Sequence, residues 1–171
     1  MGAALAALAQ APAAGQVKSD WELQQERSGW KEAEVKPPAY PRKENLIEFF
    51  VAAASDFRFF VDGASLSVGP DGVVRYALVA RSPSGAENLT FEGIRCATGE
   101  YRIYAVGRPD GVWAGRASGW RVIESRTVQR WHNALQREYF CPDREPVRTP
   151  EEGVNALREG RHPRIRPPGG Y

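Results

Sequence analysis

Gly69-Pro-Asp-Gly-Val-Val-Arg-Tyr-Ala-Leu-Val-Ala80 is the stretch that decides the fold. Pro70 fixes φ at the second position of a turn and Gly72 supplies a positive φ, so Gly69–Gly72 reads as a tight reversal. Val73–Ala80 is dominated by β-branched and apolar residues in a run too short for a typical helix, and reads as a strand. Ser65-Leu-Ser-Val68 on the other side of the turn has the same character. The two pieces should form a hairpin.

Working outward, Leu46-Ile-Glu-Phe-Phe-Val51 and Phe57-Arg-Phe-Phe-Val-Asp62 give further strands upstream. Downstream, Asn88-Leu-Thr-Phe-Glu-Gly-Ile-Arg-Cys96 and Tyr101-Arg-Ile-Tyr-Ala-Val-Gly107 are joined by the short Ala97–Glu100 connection. Short links between consecutive strands imply an antiparallel meander. Thr90, Glu92, Arg95 and Arg102 interrupt the apolar pattern, so one face should be wet or covered by something polar. After short apolar pieces at Val112–Ala114 and Trp120–Ile123, the residues Val128, Trp131, Leu135 and Tyr139 recur at helical spacing. That helix should lie on the sheet and end at Cys141-Pro142. A second, shorter helix is expected from Pro150, with Thr149 as its cap and Glu151 and Glu152 favoured by the helix dipole, ending near Gly160. The fold class expected is therefore α+β: an antiparallel meander sheet of four to six strands with a C-terminal helix packed on one face.

The chain has 171 residues, 42% of them hydrophobic and 11% aromatic, enough for a single domain with a substantial core. A net charge of +2 provides no field that would recruit nucleic acid or an anionic membrane, and no segment approaches the roughly 18 apolar residues of a membrane span. Residues 1–9 read as the remnant of a signal peptide, with Ala7-Leu-Ala9 fitting a small-x-small cleavage pattern. Residues 10–43 form an arm carrying Trp21 and Trp30, which are expected to pack onto the domain, with docking of a partner as the alternative. Residues 44–142 are the core domain, and 143–171 a short helix with a basic Pro/Arg tail. Cys96 and Cys141 lack metal-site or thioredoxin-like spacing, so in an exported protein a disulfide is the simplest reading; two buried free thiols are the alternative in a reducing compartment. The link would tie the end of a strand to the end of the helix and stabilise the fold by about 4 kcal/mol in a chain-entropy description.

Three motifs go beyond pattern: Ser65-Leu-Ser-Val-Gly-Pro-Asp-Gly-Val-Val-Arg-Tyr76, Phe91-Glu-Gly-Ile-Arg-Cys96 and Tyr139-Phe-Cys141. With the tryptophans between the cysteines, they resemble the cryptic neisserial protein-like family of small exported bacterial proteins, over about Trp21 to Pro142. The resemblance implies a periplasmic or secreted location in the bacterial envelope. It carries over no catalytic residues, and its family context suggests support of surface structures such as type IV pili.

The residue types needed for catalysis are present but not organised. His132 and His162 are far apart, against a metal site. His132 with Asp110 and Ser118 or Ser125 would supply the members of a nucleophilic triad, yet no Gly-x-Ser-x-Gly elbow marks an activated serine, and His132 reads as a polar-face residue of its helix. Asp62, Asp71, Glu92, Glu100 and Asp110 are available as paired carboxylates for glycoside chemistry, with Asp62 and Asp71 already explained by turns. No catalytic residue, metal or cofactor is assigned. The candidate binding surface is Tyr101, Tyr104, Arg108, Trp113, Arg116 and Trp120, because aromatics interleaved with arginines anchor protein interfaces and stack on sugars. For Trp113 and Trp120 the competing reading is core packing beneath the helix. The expected function is a non-catalytic interaction or assembly factor whose partner is another envelope protein; the alternative is an envelope-glycan (peptidoglycan) binding protein or hydrolase.

Overall fold

The computed structural model describes residues 28–115, 118–124 and 130–165. The chain divides into two compact units, Met1–Glu32 and Ala33–Tyr171. Of the first only 28–32 are described, so Trp21 lies outside the described residues, as do the leader, Arg116, Ser125, Val128 and 166–171.

The second unit is α+β, with one antiparallel sheet. Its strands are β1 (Leu46–Phe49), β2 (Arg58–Asp62), β3 (Ser67–Val68), β4 (Val73–Arg81), β5 (Glu87–Arg95), β6 (Glu100–Gly107), β7 (Trp113–Gly115) and β8 (Arg121–Val122). The order is β1-β2-β4-β5-β6-β7, with β3 also on β4 and β8 also on β6. β2 and β3 are two pieces of one ribbon on the same edge of β4, since β2 pairs with Leu78–Arg81 and β3 with Val74–Arg75. β7 and β8 likewise share the outer edge of β6. The eight pieces therefore make six ribbons.

A serine mends each break. Between β2 and β3 the chain makes a tight turn at Gly63–Ser65, where the Ser65 hydroxyl donates to the Asp62 carbonyl (2.7 Å) and accepts the Ala77 amide (2.8 Å). Between β7 and β8 the Ser118 amide donates to the Ile103 carbonyl (2.8 Å), and the Ser118 Oγ accepts the Ile103 amide (3.0 Å). Both strands thus keep their backbone groups satisfied where the ladder lapses, as buried polar groups require.

The hairpin expected at Gly69–Gly72 joins β3 to β4, with Gly72 at φ 74°. β4 and β5 then pair over their full lengths, from Val73↔Arg95 to Arg81↔Glu87. On β6 the register slips opposite Phe91/Glu92: Phe91 faces Ala105 while Glu92 faces Ile103, leaving Tyr104 as the extra residue of a bulge. Bulges re-aim side chains. Here Tyr104 follows Arg102 on one face by ordinary alternation, and the bulge sets Ala105 on that face as well, opposite Phe91.

One face of the sheet carries Val74, Tyr76, Leu78, Ile94 and Tyr101 and forms the main core with the C-terminal segments. These are α1 (Arg130–Ala134), which continues as a π-helical turn over Leu135–Phe140, and α2 (Pro150–Arg158). The wider turn, with the Cys141 amide on the Gln136 carbonyl (3.1 Å), brings Tyr139, Phe140 and Cys141 to the core together. Cys141 is joined to Cys96, just past β5, with 5.3 Å between Cα atoms. The disulfide ties helix to sheet where the sequence placed it.

α2 begins as its sequence dictates. Thr149 Oγ1 accepts the Glu152 amide (3.2 Å), the Glu152 carboxylate accepts the Arg148 amide (2.6 Å), and Pro150 occupies the first turn. Gly153 sits where a Cβ would come within 2.5 Å of Leu66, so the missing side chain lets the helix approach the sheet. Beyond the helix His162 is buried: its amide donates to the Glu138 carbonyl (2.8 Å) and its ring lies 2.9 Å from Glu152. The basic tail is therefore anchored as far as the described residues run.

Candidate functional site

The two faces of the sheet present different chemistry. On the helix face the central residue is Glu92 of β5, fully buried. Thr90 lies two residues earlier on the same face, and its hydroxyl donates to Glu92 Oε1 (2.7 Å). Tyr76, directly opposite on β4, donates its hydroxyl to Oε2 (3.2 Å). From α1, His132 brings Nε2 to 2.8 Å from Oε2, and its ring stacks on Tyr101 with 3.7 Å between centroids. Burial would raise the Glu92 carboxyl, but the His132 charge and the hydrogen bonds from His132, Thr90 and Tyr76 outweigh it and hold the group below the usual carboxylate range. Burial and the neighbouring Glu92 charge push the Tyr76 phenol well above its ordinary value.

The expectation that His132 lies on a polar helix face is overturned. It is 1% exposed, because Glu92 gives the imidazole a partner inside the core. A carboxylate holding an imidazole is the orienting half of a nucleophilic site. The candidates among the described residues do not join it: Ser118 mends the β6 edge, and Asp110 pairs with Arg108 (3.2 Å) and caps the turn to Val112 (3.3 Å), while Ser125 lies outside the described residues. Each remaining carboxylate considered from sequence also has a local structural role. Asp62 accepts the Ala64 amide, Asp71 holds Arg75, and Glu100 lies 4.0 Å from Arg95. Among the described residues no group of three or more His, Cys, Asp or Glu is placed to hold a metal ion.

The opposite face is aromatic and cationic. Gly93 of β5 has no Cβ, which would come within 2.9 Å of the Tyr104 ring, so Tyr104 lies flat over the strand. The Arg75 and Arg102 guanidinium groups lie 5.6 and 5.5 Å from its centroid. Phe91 bridges Tyr104 (5.3 Å) to Trp113 (6.1 Å). At the far end Phe60 lies beneath Arg81 (4.6 Å) and Arg58 (5.3 Å) and packs with Val79 and Leu89.

A strap of chain preceding β1 is fastened on this face at three points. The Ala33 amide donates to Asp71 Oδ2 (2.8 Å), while the same carboxylate takes Arg75 through both oxygens (3.0 and 2.5 Å). Burial works against ionisation of Asp71, and the bonds from Arg75 and the Ala33 amide more than compensate, so its carboxyl lies below the ordinary value. Next, Trp113 Nε1 donates to the Pro38 carbonyl (2.8 Å). Finally, the Tyr40 hydroxyl donates to the Arg108 carbonyl (2.7 Å), and its ring lies 5.4 Å from that of Trp113.

The surface proposed from sequence is thus divided. Tyr104 and Trp113 share the strap face through Phe91, and Trp120 meets Tyr104 edge-on at 6.5 Å while itself buried. Arg108 is exposed at the β6–β7 turn. Tyr101 points to the helix face and stacks on His132, and Arg116 lies outside the described residues. Sequence reasoning missed Tyr40 and Pro38 as members of the site. The signal available was a proline-rich segment containing a tyrosine, directly before the first strand.

No curated protein and no solved structure matches the chain. The model of the CNP1-like family matches residues 25–158, from ahead of the strap to the end of α2. This chain belongs to the CNP1-like family.

Proposed function

We propose that this protein is exported to the periplasm or beyond and acts there by binding another envelope protein, without catalysis. The observation that carries the reading is the Cys96–Cys141 disulfide, which fixes the helix end to the central sheet. Structural disulfides persist in oxidising compartments and are rare in the cytosol. Absence of catalysis is supported by the burial of Glu92 and His132, the best-formed acid–base pair, at 0% and 1% exposure. Three hollows among the described residues, at Cys141 and Arg164, at Val68 and Pro146, and at Phe50 and Phe57, are lined by neither residue.

An interaction role is supported by the strap face, where Trp113, Tyr104 and arginines gather as they do at protein interfaces. A glycan reading asks for an open aromatic platform, and the Trp113 indole is half-covered by Pro38 and Tyr40. The resemblance to cryptic neisserial protein-like proteins makes surface structures such as type IV pili the first context to examine. The test is fractionation of the native host with maleimide labelling before and after reduction, followed by crosslinking in envelope extracts. Envelope recovery, thiols that label only after reduction, and one reproducible crosslinked protein are expected. Recovery in the cytoplasm with two labelled thiols would overturn the assignment.

A further inference from the structure

We propose that the Trp113 face is a groove for proline-rich segments, closed in the isolated protein by the chain's own Pro37–Pro41, and that the partner is an envelope protein presenting such a segment. The inference rests on the binding role above and names the chemistry of its partner. Its basis is the occupant already seated there. Val35-Lys-Pro-Pro-Ala-Tyr-Pro41 contains three prolines, each fixing its own φ near −65° and holding the preceding residue extended. Such a segment has few conformations to choose from, so it leaves its carbonyls free to accept and has little entropy to lose on docking. Recognition of this kind of ligand uses aromatic-lined grooves. The sheet and its β6–β7 turn supply the receiving groups: the Trp113 indole N–H for the Pro38 carbonyl, the Trp113 ring for that of Tyr40, and the Arg108 carbonyl for the Tyr40 hydroxyl.

The strap is suited to displacement. From Ala33 to Asn45 no residue is fully buried, and from Ala33 to Arg42 the chain has no regular secondary structure. Elements with few buried contacts open at low free energy without unfolding the domain. The groove floor, by contrast, is rigid: Gly107 has no room for a Cβ against Leu89 (2.6 Å), and Trp113 is paired across it in the sheet. A tethered occupant acts at an effective concentration in the millimolar range, so a free peptide meets a groove that is mostly filled and binds with its apparent affinity reduced in proportion. Loosening the strap should therefore tighten binding in trans, the reverse of what loss of a supporting contact does to an open site.

The test uses the full disulfide-bonded chain and a fluorescein-labelled peptide spanning residues 34–43, followed by anisotropy. Against Tyr40→Ala the peptide should bind about 10-fold more tightly than against wild type, as expected when an intramolecular competitor is weakened. Tyr40→Phe, which removes only the bond to Arg108, gives a milder version should Tyr40→Ala lose its circular dichroism. In either background Trp113→Phe should weaken peptide binding about 5-fold or more, as should replacing the three prolines of the peptide by alanine. In the strap-loosened Tyr40 variants, no saturable binding up to millimolar peptide, or affinity indifferent to Trp113→Phe, would overturn the groove. So would a strap variant that dimerises without taking up peptide, which would assign the face to exchange of straps between copies. Failure here with envelope recovery and a crosslinked partner intact removes the groove alone; peptide binding by a protein found in the cytoplasm removes the location alone.

Discussion

On the helix face, buried Glu92 is satisfied by Thr90, Tyr76 and His132, all side chains held by regular elements. On the opposite face, Asp71 receives the backbone of Ala33, and Trp113 gives its proton to the backbone of Pro38, both belonging to a strap without regular structure. The first arrangement is sealed by the same packing that makes the core. The second is sealed by a segment that can leave while the sheet stays intact. Burial alone does not distinguish a structural polar group from a binding group; what covers it does.

That contrast can be broken most strongly at Glu92. Glu92→Gln leaves His132 buried without its carboxylate and should destabilise the protein by about 3–5 kcal/mol, read from urea denaturation. The pH dependence has a fixed sign. Because the folded Glu92 carboxyl lies below its ordinary value, its contribution is fully present above the unfolded pKa of about 4.3 and is lost as pH falls through the lower folded value. The gap between wild type and Glu92→Gln should therefore close in acid; a gap that widens there would contradict the assignment of Glu92 as ionised.

The paired substitution Cys96→Ser with Cys141→Ser should remove about 2–4 kcal/mol, measured by thermal unfolding with and without reductant. Reductant should lower the Tm of wild type and leave the variant unmoved. On the strap face Asp71→Asn should lose about 2 kcal/mol, with faster exchange of the Ala33 amide and unchanged exchange in β5. Equal acceleration in both places would show that strap and sheet open as one unit. The smallest expected effect is at the mended breaks: Ser65→Ala, which leaves the buried Ala77 amide without its acceptor, should lose about 1 kcal/mol, and Ser118→Ala less, being less buried.

The sequence made the meander legible wherever local chemistry and long-range pairing agree. Gly69-Pro-Asp-Gly72, the length of Val73–Ala80 and the Thr149-Pro150 helix start each carry their own geometric instruction, and the disulfide followed from cysteine spacing read together with an expected export. His132 was misread because helical periodicity assumes a uniform turn and a polar side chain turned outward. The π-turn after Ala134 alters the register, and the residue that makes burial favourable, Glu92, lies on a distant strand. Tyr101 and Tyr104 looked like neighbours in a line of aromatics. Strand alternation over the three-residue step between them places them on opposite faces, a period that a list of aromatics ignores. Pro38 and Tyr40 escaped because a proline-rich segment has no period with which to announce what it touches.

The interrupted outer ribbon has a consequence for how these molecules coexist at high concentration. A long, flat terminal strand offers a template on which a second chain can grow by adding hydrogen bonds. Here that edge is cut into pieces of three and two residues, β7 and β8, with the gap at Ser118 turned inward to Ile103. A newcomer would find no continuous row of donors and acceptors to extend. The serine that repairs the strand for its own molecule thus also ends the sheet on this side, so that strand addition finds no template at the β7–β8 edge.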